Sequence, residues 1–114
     1  MVRQFLATGQ RAPRALIGCN SSFAIGAIRA LTEAGLRVPE DVAVAGFDDL
    51  PECEVLSVPL TVMRVPIEGM GARAAELLIH RIERGPAIAE LEQEKLPGEL
   101  VVRESCGADQ RVTA

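Results

Sequence analysis

Polar side chains that follow two apolar segments form the part of the sequence best suited to contact a ligand. Asn20 and Ser21 come directly after the apolar run 15–19, and Asp48 comes directly after the apolar run 42–47. In an open parallel sheet, ligands bind beyond the carboxyl ends of the strands. An amide offers a donor and an acceptor, and a carboxylate offers two acceptor oxygens, which suits vicinal hydroxyls of a sugar or nucleoside. The spacing therefore predicts that Asn20 and Asp48 converge on one small molecule, and we take Ser21 as a third candidate effector-binding residue.

The same residues also suit purely structural roles, and the sequence leaves both interpretations open. Asn and Ser side chains commonly cap helix N-termini, as Asn20 and Ser21 could do for the following helix. Adjacent aspartates such as Asp48 and Asp49 are typical of a turn.

Four carboxylates in one short loop, Asp48, Asp49, Glu52 and Glu54, raise the alternative of a magnesium site like that of phospho-acceptor receiver domains. Such a site needs another carboxylate from a neighbouring strand end, but the 15–19 run ends without one. We therefore expect no metal and no cofactor. We also expect Asp49 and the two glutamates to form a solvated loop face.

No residue pattern indicates catalysis. His80, the only histidine, lies one helical turn after Glu76, where we expect a solvated pair between the two side chains. The sequence has no nucleophile elbow, phosphate-binding loop or dinucleotide-binding glycine pattern. Cys19, Cys53 and Cys106 form no CxxC pair, and we expect free thiols in a reducing compartment. These features predict a binding protein and not an enzyme.

The elements that must position the polar residues follow from the spacing of apolar side chains. A short helix over 2–7 precedes strands predicted at 15–19, 42–47, 59–64 and 99–103. Longer helices are predicted from Ala24 to Ala34, ended by a left-handed Gly35, and over 67–84. The first strand, the helix and the second strand make a βαβ unit with a right-handed crossover.

The composition fits one small domain with an aliphatic core. The 114 residues are 48% hydrophobic and 25% charged, with a net charge of −4, three Phe, and no Trp or Tyr. The acidic balance argues against a free-standing nucleic-acid binder. No apolar run approaches a membrane span or a secretory signal core, so we expect a cytoplasmic protein with no membrane partner.

Four sequence blocks occur in an order typical of one family of regulators. They are CNSSFAIGAIRALTEAGLRVPEDVAVAGFDD at 19–49, PLTVMR at 59–64, MGARAAELL at 70–78 and LPGELVVRES at 96–105. Together they resemble the effector-binding core of lactose-repressor (LacI/GalR) family transcriptional regulators. The resemblance implies an α/β, periplasmic-binding-protein-like (Rossmann-type) fold, in which a parallel sheet is flanked by helices and of which this chain holds a part.

The resemblance also implies a domain arrangement and a function. It assigns 1–60 and 97–106 to the C-terminal lobe, 65–95 to a helix and linker of the N-terminal lobe, and 107–114 to a tail, all within a single partial effector-binding domain. Such a domain senses a sugar or nucleoside-like effector in the cleft between two lobes. The family's helix-turn-helix has no counterpart here, so we expect DNA contact only through a domain absent from this chain.

Matched position by position, the resemblance assigns roles to individual residues. Asn20 and Asp48 match positions that contact effector hydroxyls. The family usually has Asp where Ser21 stands and often a polar residue where Val65 stands. These departures leave two alternatives open. The effector could differ from a simple sugar, or this member of the family could have lost its control by a ligand. A solute-binding protein of the same fold is the alternative function.

Two apolar surfaces predict self-association. Ile25 lies off the apolar stripe of its helix, and Leu56 is apolar in an otherwise acidic loop. The resemblance places both at positions that contact the partner subunit in family dimers. The apolar stripe of helix 67–84 would also be exposed in the isolated chain. We therefore expect a homodimer or a higher self-association.

Overall fold

The computed structural model describes residues 2–84 and 93–108. The strands are β1 (Ala15–Ile17), β2 (Ala43–Phe47), β3 (Thr61–Arg64) and β4 (Glu99–Val101). The helices are α1 (Val2–Ala7), α2 (Ser21–Glu33), α3 (Glu52–Val55) and α4 (Ile67–Arg84), and a single 3₁₀ turn spans Glu104–Cys106. The predicted strands and long helices are confirmed, and α3 is an addition that the sequence did not predict.

The sheet has the spatial order β1-β2-β3-β4 and is mostly parallel. β1, β2 and β3 run parallel, and β1-α2-β2 is the predicted βαβ unit. The register places Ile17 opposite Ala45 and Phe47 opposite Met63, so the parallel strands end at one edge of the sheet. The predicted α/β architecture, a parallel sheet flanked by helices, is confirmed, with the refinement that β4 pairs antiparallel with β3.

The core is aliphatic, as the composition predicts. It lies where α2 packs against the sheet, and its most deeply buried members are Ala24, Leu31, Val42, Val44, Leu60 and Val62. α2 ends as expected, because Gly35 has a φ of 77° and its N–H donates to the Thr32 carbonyl at 3.0 Å. The Leu36 N–H donates to the Leu31 carbonyl at 3.0 Å, which completes a Schellman motif.

Two glycines let the beginning of α2 approach the ends of β1 and β2. A Cβ atom on Gly18 would lie 2.7 Å from the Ala24 nitrogen and 2.9 Å from the Asn20 carbonyl oxygen. A Cβ atom on Gly46 would lie 3.1 Å from the Ala24 Cβ. Side chains larger than glycine would push α2 away, so these glycines bring Asn20 close to the end of β2.

The structure divides into two compact units, Met1–Arg64 with Glu99–Ala114, and Val65–Gly98. Their assignment to two lobes stays a prediction. Most of the predicted 107–114 tail and a part of the predicted 65–95 helix and linker lie outside the described residues. Within the described ranges, no helix is both long and apolar enough to cross a membrane.

Helix α4 dominates the described part of the second unit and has no buried residue. Its large apolar side chains are exposed, namely Ile67, Met70, Leu78, Ile79 and Ile82. The expected pair between Glu76 and His80 is wrong. Glu76 instead accepts from Arg73, three residues earlier on the same helix, at 2.9 Å.

Candidate functional site

The carboxyl ends of β1 and β2 meet around the first turn of α2. Ser21 is fully buried there, and its hydroxyl lies 2.7 Å from the Phe47 carbonyl oxygen and also contacts the Asp48 carbonyl oxygen. The structure therefore brings together the two chain segments that carry Asn20 and Asp48. It places the Ser21 hydroxyl between those segments and away from solvent.

Asn20 has the capping role that the sequence left open. It is the N-cap of α2, and its Oδ1 atom accepts a hydrogen bond from the Phe23 N–H at 2.9 Å. This contact uses only the oxygen of the side-chain amide. The two Nδ2 donors have no hydrogen-bond partner among the residues that the structure describes. A ligand could therefore accept from Asn20 without disturbing the helix cap.

Asp48 has an unusual backbone conformation. Its φ is 67°, in the left-handed region, where few residues other than glycine occur. Its N–H donates to the Met63 carbonyl at 3.0 Å, and the Cys53 Sγ atom lies 4.0 Å from its carbonyl oxygen. The half-buried carboxylate has no partner within the described part of the chain. Backbone strain of this kind, held by several neighbours, is concentrated at functional sites.

Asp49 is the residue that sequence analysis placed wrongly. Its side chain is only 9% exposed, and it accepts from Arg103 Nη1 at 2.8 Å and from Arg64 Nη2 at 2.7 Å. Arg103 is itself 13% exposed and also donates to the Leu60 carbonyl at 2.9 Å. The hydrogen bond from Arg103, followed by that from Arg64, holds the pKa of Asp49 below its usual value. The expected solvated position is therefore wrong, because two guanidinium groups draw the carboxylate inward.

One signal in the sequence could have suggested a part of this ion-pair cluster. Arg64 ends β3 and Arg103 follows β4 by two residues, while Asp49 follows β2. β3 is the direct neighbour of β2, so cross-strand pairing could suggest the bond from Arg64 to Asp49. It could not suggest the bond from Arg103, because β4 is not next to β2 and its antiparallel register places Arg103 near Leu60. Glu99 completes the cluster from β4, with an oxygen 2.9 Å from Arg64 Nη1.

The acidic loop does not fit the alternative magnesium site. Both oxygens of Asp49 are bonded to guanidinium groups, and Glu52 and Glu54 are exposed on α3. In residues 2–84 and 93–108, no three His, Cys, Asp or Glu side chains are grouped so that they could hold a metal ion. The cysteines are free thiols, as predicted.

Ile25 and Leu56, the predicted contacts with a partner subunit, are both half-buried in the isolated chain. Two exposed apolar side chains that sequence analysis did not single out lie near them along the chain. Phe23 precedes Ile25 on α2 and is 67% exposed, and Val55 precedes Leu56 and is 81% exposed. Exposed aromatic and aliphatic side chains of this size are typical of interaction surfaces.

Taken together, the mostly parallel sheet, the glycines beneath α2 and the polar strand ends define an α/β domain of the class in which ligands bind beyond the carboxyl ends of the strands. The sequence profile of the "Periplasmic binding protein-like domain" family matches residues 1–106. The chain belongs to this family.

Several of the proteins that it resembles are transcriptional regulators. It is 42% identical over 95 residues to the "HTH-type transcriptional repressor MelR" of Bacillus subtilis (strain 168). The aligned residues make up 83% of the chain and 27% of that repressor. The lac repressor dimer bound to operator and an anti-inducer gives a TM-score of 0.80 at 32% identity, covering 92% of the chain and 31% of the repressor. The regulator CelR in complex with cellobiose gives a TM-score of 0.80 at 36% identity, covering 91% and 31%. The chain thus spans about a third or less of the length of these three proteins.

Proposed function

We propose that the chain senses a small hydroxyl-rich effector, a sugar or a nucleoside-like molecule, as part of a LacI-type transcriptional regulator. The observation that carries this proposal is the Asp48 carboxylate. It has no partner among the described residues, and it follows a left-handed backbone at the strand end where the Ser21 hydroxyl, next to Asn20 in the chain, contacts the Asp48 carbonyl oxygen. The kinship with repressors supports a regulator over the solute-binding protein that the sequence left open.

The two neighbouring aspartates have different chemistry available to them. Asp49 is neutralised by Arg103 and Arg64, so its oxygens are already occupied. Asp48 keeps two acceptor oxygens for hydroxyl groups, and Asn20 keeps two N–H donors for a hydroxyl or ring oxygen. A ligand with adjacent hydroxyls satisfies both residues at once, because one hydroxyl donates to the carboxylate while its neighbour accepts from the amide.

The proposal includes a homodimer and a separate DNA-binding domain. A lac repressor structure similar to this chain is a dimer on operator DNA. Ile25 and Leu56, with the exposed Phe23 and Val55 beside them, would supply the apolar part of such an interface. In this arrangement the chain carries no catalytic group, contacts DNA only through the other domain, and works in the cytoplasm.

The test is a titration of the ¹⁵N-labelled chain with cellobiose, lactose and adenosine, followed by NMR. We expect at least one of these compounds, at millimolar concentrations, to shift the Asn20 side-chain amide and the Asp48 backbone amide. Asp48→Ala should weaken that binding by about 1.5–3 kcal/mol, the value of a hydrogen bond to a charged group. Glu52→Ala, which changes an exposed carboxylate of the same loop, is the matched control and should leave the affinity unchanged. Equal affinity for wild type and Asp48→Ala would contradict the proposal.

A further inference from the structure

A buried serine hydroxyl connects the two halves of the proposed site. Ser21 has no exposed surface, and its hydroxyl contacts the carbonyl oxygens of Phe47 and Asp48, 26 and 27 residues further along the chain. Asn20 precedes it directly. The serine therefore links the segment that carries the amide to the segment that carries the carboxylate.

We propose that Ser21 is a positioning residue that acts through Asp48, a role that rests on the proposed function of the site. A left-handed backbone at a non-glycine residue persists only where its neighbours hold it in place. The Asp48 N–H donates to the Met63 carbonyl at 3.0 Å, which holds the loop on one side. On the other side, the donors near the Asp48 carbonyl are the Ser21 hydroxyl and the Cys53 thiol. The thiol is a weak donor at 4.0 Å, so the hydroxyl is the main restraint.

Direct contact between Ser21 and an effector is disfavoured by the same geometry. A serine hydroxyl has one hydrogen to donate, and here two carbonyl oxygens of the β2 end compete for it. A ligand would have to reach an atom without solvent exposure and replace these partners. Ser21 therefore influences binding by presenting Asp48 and Asn20 together.

The test uses Ser21→Ala and two matched controls. Ser22→Ala removes an exposed hydroxyl from the next position of the same helical turn. Ser105→Ala removes another fully buried hydroxyl, which contacts the Val44 carbonyl and the Thr61 N–H and lies outside the proposed site. Ser21→Cys keeps the side-chain volume with a weaker donor, and it replaces Ser21→Ala as the deciding variant if that protein does not fold.

The first readout is amide hydrogen exchange, which needs no ligand. We expect Ser21→Ala to accelerate exchange of the Asp48 N–H by about tenfold relative to the Gly18 N–H, which donates to the Ala45 carbonyl at 2.8 Å. Ser22→Ala should change neither amide, and Ser105→Ala should change both to a similar extent. An unchanged Asp48 amide in Ser21→Ala, or equal acceleration of both amides, would overturn the inference.

The second readout is the affinity for whichever of cellobiose, lactose or adenosine binds to the wild type. Ser21→Ala should raise its dissociation constant by about tenfold, while Ser22→Ala leaves it unchanged. If Asp48→Ala weakens binding and Ser21→Ala does not, the positioning role is refuted and the proposed function stands. If no compound binds to the wild type, the proposed function fails, and the exchange experiment alone decides whether Ser21 holds Asp48.

Discussion

Removing the charge of Asp49 should destabilise the fold more than any other single loss of charge near the site. Asp49→Asn keeps the shape of the side chain but leaves the guanidinium of Arg103 without its anion. Arg103 is 13% exposed, so water replaces that anion poorly. Of its present acceptors it keeps only the neutral carbonyl oxygen of Leu60, at 2.9 Å, and the new amide offers one neutral oxygen in place of the carboxylate.

The size of the effect follows from the exposure of the two arginines. Breaking a fully buried ion pair by removing one partner costs about 3–5 kcal/mol. Arg64 is 48% exposed and keeps Glu99 as a partner, so its bond to Asp49 contributes little to the loss. Most of the cost comes from Arg103, which keeps some exposure and one acceptor. We therefore expect the free energy of unfolding to fall by about 2–3 kcal/mol.

Urea unfolding monitored by circular dichroism measures this change as a shift in midpoint at constant m-value. Asp41→Asn is the control, because Asp41 has equally short contacts with Arg37, at 2.9 Å, but Arg37 is 71% exposed. Its effect should be much smaller. If Asp49→Asn shifts the midpoint no more than Asp41→Asn does, burial of the Asp49 ion pair is not what stabilises this edge of the sheet.

The pH dependence gives a second check with a fixed sign. Because Arg103 and Arg64 hold the pKa of Asp49 below its usual value, its contribution is complete above the unfolded-state pKa of about 3.9. That contribution is lost as the pH falls through the lower pKa of the folded state. The unfolding free energies of wild type and Asp49→Asn should therefore differ most above pH 4 or so and converge below it.

Three further predictions concern packing and association. Gly18→Ala should lower the free energy of unfolding in urea by about 1–3 kcal/mol, because the new methyl group would overlap the backbone at Asn20 and Ala24. Gly26→Ala should raise it by about 0.5–1 kcal/mol, because no atom lies near the methyl group added to this helical residue. Ile25→Glu and Leu56→Glu should each convert a family-type dimer to monomers in sedimentation, and a dimer in both variants would exclude this interface. The isolated chain should self-associate through the exposed apolar side chains of α4 at micromolar concentration. Light scattering should then give a mass above that of the monomer for the wild type and a lower mass for Leu78→Glu. A monomeric wild type would refute this prediction.

Local patterns in the sequence predict most of the fold correctly. Apolar runs locate the strands, and Gly35 predicts the end of α2 because a left-handed turn at that point favours glycine. The proximity of the two chain segments that carry Asn20 and Asp48 also follows from the sequence, since parallel strands of a βαβ unit end at one edge. These inferences depend on the spacing of residues that are close together in the chain, and a single sequence is enough to read that spacing.

Long-range polar pairing could not be obtained in the same way. Asp49 and Arg103 are 54 residues apart, and an aspartate before an acidic segment has the same local pattern whether it is exposed or paired. The position of Ser21 is equally ambiguous, because a small hydroxyl suits a helix cap, a ligand contact or a buried bridge. Only the packing of α2 on the glycines of β1 and β2 determines which of these it becomes.

The left-handed residue explains how adjacent aspartates reach different surroundings. In a regular strand, consecutive side chains alternate between the two faces of the sheet. β2 ends at Phe47, and the φ of 67° at Asp48 turns the chain out of that alternation. Asp49 then reaches Arg103 and Arg64, while the Asp48 carboxylate has no partner among the described residues, as the proposed effector contact requires. Few residue types therefore suit position 48. A β-branched side chain would oppose the left-handed backbone conformation. Glycine would adopt that conformation easily but would lack the carboxylate. Aspartate meets both demands, because its short polar side chain tolerates the strained backbone and supplies the acceptor.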